Sequence, residues 1–365
     1  METVLSVLSV ILFNILIPLF VLGALIFVHE LGHYLAARIF RVAIKEFAIG
    51  MGPKIFSKKS KKTKITYCLR AIPMGGALTM HGEDEQSELE NSVNKKPIWQ
   101  RFFILSAGSF MNLLLGFVLM AIFVSGANAF YSTKVNRFVD GYSISNSSER
   151  AEERLMEGDE VKKINGKTIN VYNDLVYAIL REGTEPINIT VLRDGEKLEL
   201  QNIAFPTATQ DGITYGMIDF ETQPYAKTFG SAVHQAFFQS LSSINIVWTT
   251  FYDLVTGRYG LDAVSGPVGI TQTIGNSAKE AVTTEGGMGG LLFLLALITV
   301  NLGIVNLFPL PALDGGRIIF LIIELIRRKP IKPEHEGYVH LAGFAVLILF
   351  IIFVTYKDIM RLIVG

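Results

Sequence analysis

Four long apolar stretches constrain this chain more than any other feature, because a helix needs about 20 apolar residues to cross the hydrocarbon core of a bilayer. They run from about Val4 to Ala37, from about Phe102 to Ser125, from Leu291 onward, and from about Val339 to Val354. Half of the residues are apolar and only 18% are charged. The sequence therefore predicts a polytopic α-helical membrane protein with four transmembrane helices.

The distribution of Lys and Arg predicts the orientation of these helices. Residues 38–100 hold 12 basic residues, and a second basic group lies at 327–332. Because basic loops stay in the cytoplasm, both connections are expected there. Residues 126–226 carry 16 acidic and 10 basic residues and are expected outside, as are both termini. The Lys cluster at 58–64 is interpreted as solvated charge that follows this rule, with binding of anionic membrane lipids as the alternative.

The stretch 291–326 is too long for one straight span, and two complete crossings would move the basic group that follows it to the outer side. We therefore predict one span with an internal break at Pro309, Pro311, Gly315 and Gly316. Irregular backbone is tolerated at membrane depth where it lines a buried site or cavity. The break itself is thus expected to belong to a functional site.

The first apolar run contains the sequence His29-Glu30-Leu31-Gly32-His33. Residues four apart share one face of a helix, so His29 and His33 can bind one ion while Glu30 reaches a water molecule on it. Two imidazoles and one further ligand suit Zn²⁺ with an open fourth position. Glu30 can then accept the proton of that water and return it to the departing amide nitrogen.

The third ligand is expected to be Asp314, the only carboxylate between Leu291 and Ile323. The first and third spans both run from outside to inside, so His29, His33 and Asp314 should all lie toward the cytoplasmic side. A helix cap that faces interfacial water is the alternative role for Asp314. The single cysteine, Cys68, belongs to no cysteine metal motif, so histidine and carboxylate are left as the ligands.

Together these residues resemble the bacterial site-2 proteases, the intramembrane metalloprotease family that includes RseP and RasP. The resemblance covers nearly the whole chain and includes the segments 46–53 (EFAIGMGP), 70–76 (RAIPMGG) and 306–316 (NLFPLPALDGG). It implies that His29, His33 and Asp314 bind zinc and that Glu30 is the catalytic acid and base.

The resemblance also implies a membrane-reentrant β-hairpin between the first two spans. In the family, this hairpin and an Asn near the LDGG motif hold the unwound substrate strand, which assigns substrate binding to Gly75, Gly76 and Asn306. A plain turn is the alternative for the two glycines.

Two segments depart from the family pattern. The family sequence AGPxxN reads Ala107-Gly108-Ser109-Phe110-Met111-Asn112, and Ala77-Leu78-Thr79 replaces the usual Tyr-Val-Lys. Neither departure is expected to touch the metal set, and Asn112 is interpreted as a hydrogen-bond partner between helices. Four histidines lack ligand spacing and are interpreted as ordinary polar residues: His81, His234, His335 and His340.

Residues 126–226 alternate short apolar runs with turn signals and resemble a single extracytoplasmic PDZ-like α+β domain, without a clear carboxylate-binding loop. Residues 227–287 are expected to form amphipathic linker helices on the outer membrane surface. The remaining two parts, 1–125 and 288–365, are expected to form the membrane region.

The resemblance implies a zinc-dependent intramembrane endopeptidase of the bacterial cytoplasmic membrane. Its substrates would be single-span membrane proteins, such as anti-sigma factors or remnant signal peptides, cut in regulated intramembrane proteolysis. A catalytically inactive PDZ membrane scaffold is the alternative, although a scaffold does not need the four residues of the metal motif. The formal net charge of zero gives no basic field for nucleic acid.

Overall fold

In a computed structural model of the protein, four helices are long and apolar enough to cross a membrane. The structure describes residues 2–83, 87–150, 153–210, 212–258, 260, 264–331 and 333–364. These helical spans are Val7–Ile39, Ile98–Gly126, Gly287–Asn306 and His335–Ile363. They coincide with the four predicted runs, although the last span begins at His335 and not near Val339. The protein is a multi-pass membrane protein.

The helices are α1 (Glu2–Ile11), α2 (Ile17–Ile39), α3 (Ile98–Gly126), α4 (Tyr172–Glu182), α5 (Phe229–Val255), α6 (Pro267–Thr283), α7 (Gly287–Asn306), α8 (Asp314–Arg327) and α9 (Pro333–Val364). The strands are β1 (Ile44–Lys59), β2 (Thr66–Met80), β3 (Ala129–Phe138), β4 (Glu160–Ile164), β5 (Lys167–Thr168), β6 (Ile187–Arg193), β7 (Glu196–Ile203), β8 (Thr207–Gln210), β9 (Ile213–Gly216) and β10 (Phe220–Ala226). A π-helical turn, Leu12–Leu16, joins α1 to α2.

The chain divides into two compact units. The membrane unit comprises Met1–Leu119 and Val264–Gly365, and the sheet unit comprises Met120–Ala263.

The third span is broken at Pro309 and Pro311 as predicted, because α7 ends at Asn306 and α8 begins only at Asp314. Gly315 and Gly316 were predicted to lie in the break but belong to the first turn of α8. The prolines between them lack the N–H that a continuous helix would use. A side chain at Gly315 would place its Cβ 2.1 Å from the carbonyl oxygen of Phe308, and one at Gly316 would come within 2.4 Å of Leu310 O. The paired glycines therefore let the first turn of α8 pack directly against the irregular segment.

Strands β1 and β2 fill the connection between α2 and α3 and pair with each other in an irregular register. Phe47 pairs with both Tyr67 and Leu78, because β1 contacts both ends of β2. Gly50 has a φ of +84°, a conformation that side chains rarely adopt, and the remainder of β1 turns back there along β2. The end of β2, residues 76–80, packs beside α2.

The sheet unit is built on a six-stranded sheet with the order β10-β3-β4-β6-β7, to which β5 adds through β4. Buried and half-buried residues alternate along β6, as expected for a strand that packs one face on a core. Its hydrophobic core includes Val161, Leu175, Ile189 and Leu200. This unit therefore has an α+β fold with its own hydrophobic core.

Two ion pairs lie inside the sheet unit. Arg193 Nε lies 2.7 Å from Asp159 Oδ1, and Arg181 Nε lies 2.6 Å from Asp253 Oδ2, which joins α4 to α5. The hydrogen bonds that Arg181 donates to the Asp253 carboxylate raise the pKa of its guanidinium above the ordinary value. In both pairs the buried carboxylate therefore has an opposite charge in direct contact.

Candidate metal centre

Three side chains from two distant parts of the membrane unit converge on one point. His29 Nε2 lies 3.0 Å from Asp314 Oδ2, His33 Nε2 lies 3.2 Å from the same oxygen, and the two Nε2 atoms are 3.1 Å apart. A tetrahedral zinc ion with ligands at about 2.0–2.1 Å separates its ligand atoms by roughly 3.3–3.4 Å. The donor atoms and their spacing therefore fit a zinc ion with one open position.

The other nitrogen of each imidazole is oriented by α3. His33 Nδ1 lies 2.7 Å from the carbonyl oxygen of Ile104, to which it donates a hydrogen bond, so its Nε2 keeps a free lone pair. His29 Nδ1 lies 3.3 Å from the amide Nδ2 of Asn112. Such outer hydrogen bonds orient metal-binding histidines and fix which nitrogen faces the ion.

The amide of Asn112 also supports metal binding at His29. Asn112 is fully buried, and its Oδ1 has no hydrogen-bond partner among the described residues. If His29 binds an ion through Nε2, its Nδ1 carries a proton and needs an acceptor. A 180° rotation of the amide brings Oδ1 to that position, so it satisfies the orphaned oxygen and the imidazole together.

Gly108 keeps open the space beside the two imidazoles. A Cβ at this position would lie 2.4 Å from His33 Nε2 and 2.7 Å from His29 Nε2. Ile104, Gly108 and Asn112 are spaced four residues apart and occupy one face of α3, which lines the site. Asn112 is the hydrogen-bond partner between helices that the sequence predicted, whereas the roles of Ile104 and Gly108 were not predicted, although their spacing repeats that of His29 and His33 on α2.

Glu30 lies on α2 between the two histidines, and the end of β2 holds its side chain. The backbone N–H of Leu78 donates a hydrogen bond to Glu30 Oε2 at 3.1 Å. A Cβ at Gly76 would lie 3.1 Å from Glu30 Cγ and 3.2 Å from the carbonyl oxygen of Ala48. The expectation that neither departing segment touches the metal set was wrong. The backbone of Leu78 contacts Glu30, and the segment 107–112 lies directly beside His29 and His33.

Gly75 and Asn306, the remaining residues predicted to bind substrate, lie on different elements of the fold. Gly75 has a φ of +81° and faces α2, where a Cβ would lie 3.3 Å from Ile26 Cγ2. Asn306 is half-buried and is the last residue of α7, so the break in the third span begins directly after it. The structure thus places Gly76 beside Glu30 and Gly75 one residue away.

Comparisons with known proteins identify the family of this chain. The model for peptidase family M50 matches residues 17–350. The chain belongs to this family. As a member of family M50 it is a zinc-dependent site-2 protease that resembles RseP and RasP.

Several relatives match nearly end to end. A zinc metalloprotease candidate of Fusobacterium nucleatum is 35% identical, over 95% of this chain and 98% of the relative. The regulator of sigma-W protease RasP of Bacillus subtilis is 30% identical, over 94% of this chain and 97% of its own. The zinc metalloprotease RasP of Geobacillus kaustophilus is 30% identical, over 93% and 96% respectively.

Proposed function

We propose that this M50 protease cleaves the transmembrane segments of single-span membrane proteins within the bilayer, with zinc held by His29, His33 and Asp314. The observation that carries the proposal is the convergence of two imidazole nitrogens and one carboxylate oxygen within 3.0–3.2 Å. Zinc bound there would activate a water molecule and polarise the scissile carbonyl.

Glu30 is the proposed general base and acid. Its carboxylate follows His29 directly in sequence and is fixed by the Leu78 N–H at 3.1 Å, so it points away from the helix toward the end of β2. From this position Glu30 accepts a proton from the attacking water and transfers it to the departing amide nitrogen. Its hydrogen bond to the backbone also limits the number of side-chain conformations in which the carboxylate can act.

The end of β2 is the proposed substrate platform, with Gly75, Gly76 and Asn306 in contact with the substrate. A transmembrane helix must unwind before its amide can be attacked, and an unwound segment can pair with the backbone of an exposed strand. Gly76 brings this strand against Glu30 because it has no side chain to separate the two. A substrate strand at β2 would therefore place its backbone beside the acid and base.

We infer that β1 and β2 re-enter the membrane. Large apolar side chains of this hairpin are exposed, including Met51, Ile55, Phe56 and Ile72, with Ile55 68% exposed. Such a surface is stable in contact with lipid and unfavourable in water. The basic residues 58–64 at the connection between the strands fit a position at the cytoplasmic surface, which supports an active site toward that side of the bacterial cytoplasmic membrane.

The strands of the sheet unit and α4 form the proposed extracytoplasmic PDZ-like domain, residues 126–226, and α5 and α6 are the proposed linker helices of 227–287. As the family resemblance implies, it would act as a size filter that admits substrates after another protease has shortened their outer part. Anti-sigma factors are the favoured substrates, because the Bacillus subtilis relative is named for regulation of sigma-W. Remnant signal peptides, which also cross the membrane once, are the second proposed class of substrate.

Cleavage by the purified full-length protein tests the proposal. A model single-span substrate in proteoliposomes is incubated with the wild type, with Glu30→Gln, and with Glu90→Gln as a matched control at an exposed carboxylate. We expect the wild type and Glu90→Gln to cut and chelation to stop both. Glu30→Gln should retain zinc but lose about 10²–10⁴-fold in rate.

An inactive membrane scaffold is the contrary outcome. It would be indicated if the wild type holds no zinc and leaves shortened single-span substrates of several sequences intact.

A further inference from the structure

The last helix contacts the loop that precedes Asp314 through a histidine and a glycine. The backbone N–H of Ala312 donates a hydrogen bond to His340 Nδ1 at 3.0 Å. Three residues further along α9, a Cβ at Gly343 would lie only 2.2 Å from Pro311 Cβ. The backbone of α9 therefore packs directly on the segment that carries the third proposed zinc ligand.

Ala312 has an unusual backbone conformation, with a φ of +77°. Residues with a side chain rarely adopt this left-handed conformation, and they keep it only where surrounding contacts hold it. Asp314 follows two residues later and begins α8. A change at Ala312 would therefore rotate the chain that aims the Asp314 carboxylate at His29 and His33.

The ring of His340 is held in place from several directions. Its side chain is 15% exposed, and its Nε2 lies 3.8 Å from Glu336 Oε1 on the same helix. The ring centroid lies 5.6 Å from that of Phe320, on α8. Because Nδ1 accepts the hydrogen bond from Ala312, the ring proton is on Nε2, on the side of Glu336.

We propose that His340 is a positioning residue that fixes the turn from Ala312 to Asp314 in the conformation that binds zinc. It does not touch the reacting atoms and acts through the backbone of Ala312. The inference rests on the proposed role of Asp314 as a zinc ligand. The sequence alone suggested an ordinary polar residue, because the spacing of His340 fits no metal motif.

Three variants of the full-length protein test this role: His340→Ala, His340→Asn, and His335→Ala as a matched control at an exposed histidine of the same helix. Zinc affinity is measured by competition with a chelator. Amide hydrogen exchange at Ala312 and Leu313 is measured without added metal. We expect His340→Ala to weaken zinc binding by about tenfold, comparable to the loss of an outer-shell hydrogen bond, and to accelerate exchange at Ala312.

His340→Asn should restore most of the zinc affinity, because its side-chain oxygen can take the place of Nδ1 as the acceptor. His335→Ala should match the wild type in both measurements. Unchanged exchange and zinc affinity in His340→Ala would overturn the proposal, as would a loss that Asn fails to restore. If the wild type itself binds no zinc, the proposed function fails, while the exchange rates at Ala312 still decide whether His340 holds the turn.

Discussion

The membrane unit and the sheet unit both bury ionisable side chains, but they arrange them differently. In the sheet unit, Arg181 and Asp253 are an oppositely charged pair in direct contact. In the membrane unit, His29, His33 and Asp314 instead aim three lone-pair donors at one point. The first arrangement satisfies its own charges, whereas the second has the donor atoms and spacing that the proposed zinc ion would complete.

This difference separates a structural cluster from a functional one. A buried ion pair holds two elements together, and its loss leaves one charge without compensation. Convergent acceptors are unfavourable without a cation, so they persist where binding requires them. Single substitutions can remove each kind of cluster separately.

Loss of a metal ligand should have the largest effect. In Asp314→Ala, zinc retains two of its three protein ligands. If the site binds zinc with about 10–16 kcal/mol, we expect a loss of about a third of that energy, or roughly 3–5 kcal/mol. Zinc affinity and stoichiometry are measured in the purified protein, with Glu30→Gln as the control that keeps all three ligands. Equal zinc binding by Asp314→Ala and the wild type would exclude Asp314 as a ligand.

Loss of the structural pair should affect stability without affecting the metal. Asp253→Asn removes the negative charge that accepts two hydrogen bonds from the buried guanidinium of Arg181. We expect the sheet unit to lose about 3 kcal/mol of unfolding free energy, with unchanged zinc affinity. Hydrogen exchange in α4 measures the local stability.

The exposed pair of Arg137 and Glu221 supplies the control for this experiment. Glu221→Gln should leave exchange in α4 unchanged, because both side chains are solvated. A fall in zinc affinity in Asp253→Asn would contradict the purely structural role assigned to the pair of Arg181 and Asp253.

A methyl group beside the imidazoles should disturb the site without removing any ligand. In Gly108→Ala the new Cβ would come within 2.4 Å of His33 Nε2, so the rings or α3 must shift. We expect cleavage to fall by about 10²-fold, as for misplaced catalytic groups. Gly126→Ala is the matched control on the same helix, because a Cβ there meets nothing within 4 Å. Wild-type cleavage by Gly108→Ala would contradict the close approach of α3.

The smallest effect is expected at the outer hydrogen bond of His29. Asn112→Ala removes the partner of His29 Nδ1 and should weaken zinc binding by about 10-fold to 100-fold. Asn112→Asp keeps an acceptor at the same place and should retain tighter binding than Ala. The comparison of the two zinc dissociation constants is the measurement. Equal weakening in both variants would show that Asn112 contributes packing and no hydrogen bond.

The sequence predicted the parts of the site that carry unusual side chains in a membrane. His29, Glu30, His33 and Asp314 stand out because ionisable groups are costly at that depth. The break in the third span was predictable for a related reason, since proline interrupts helices and paired glycines permit close backbone packing.

The supporting residues were not predictable, because their contribution is a backbone group or the absence of a side chain. Ile104 contributes a carbonyl oxygen and Gly108 contributes empty space. His340 acts on Ala312 across 28 residues of sequence, and only the packing of α9 brings them together. The spacing of motifs shows which residues share a helix face but does not show which helix that face meets.

X-ray absorption at the zinc edge of the purified wild-type protein identifies the atoms that bind the metal. We expect one zinc per chain with only nitrogen and oxygen neighbours at about 2.0–2.2 Å, two of them imidazoles, and loss of one oxygen neighbour in Asp314→Ala. A sulfur neighbour at about 2.3 Å, or a wild-type spectrum that Asp314→Ala leaves unchanged, would contradict this expectation.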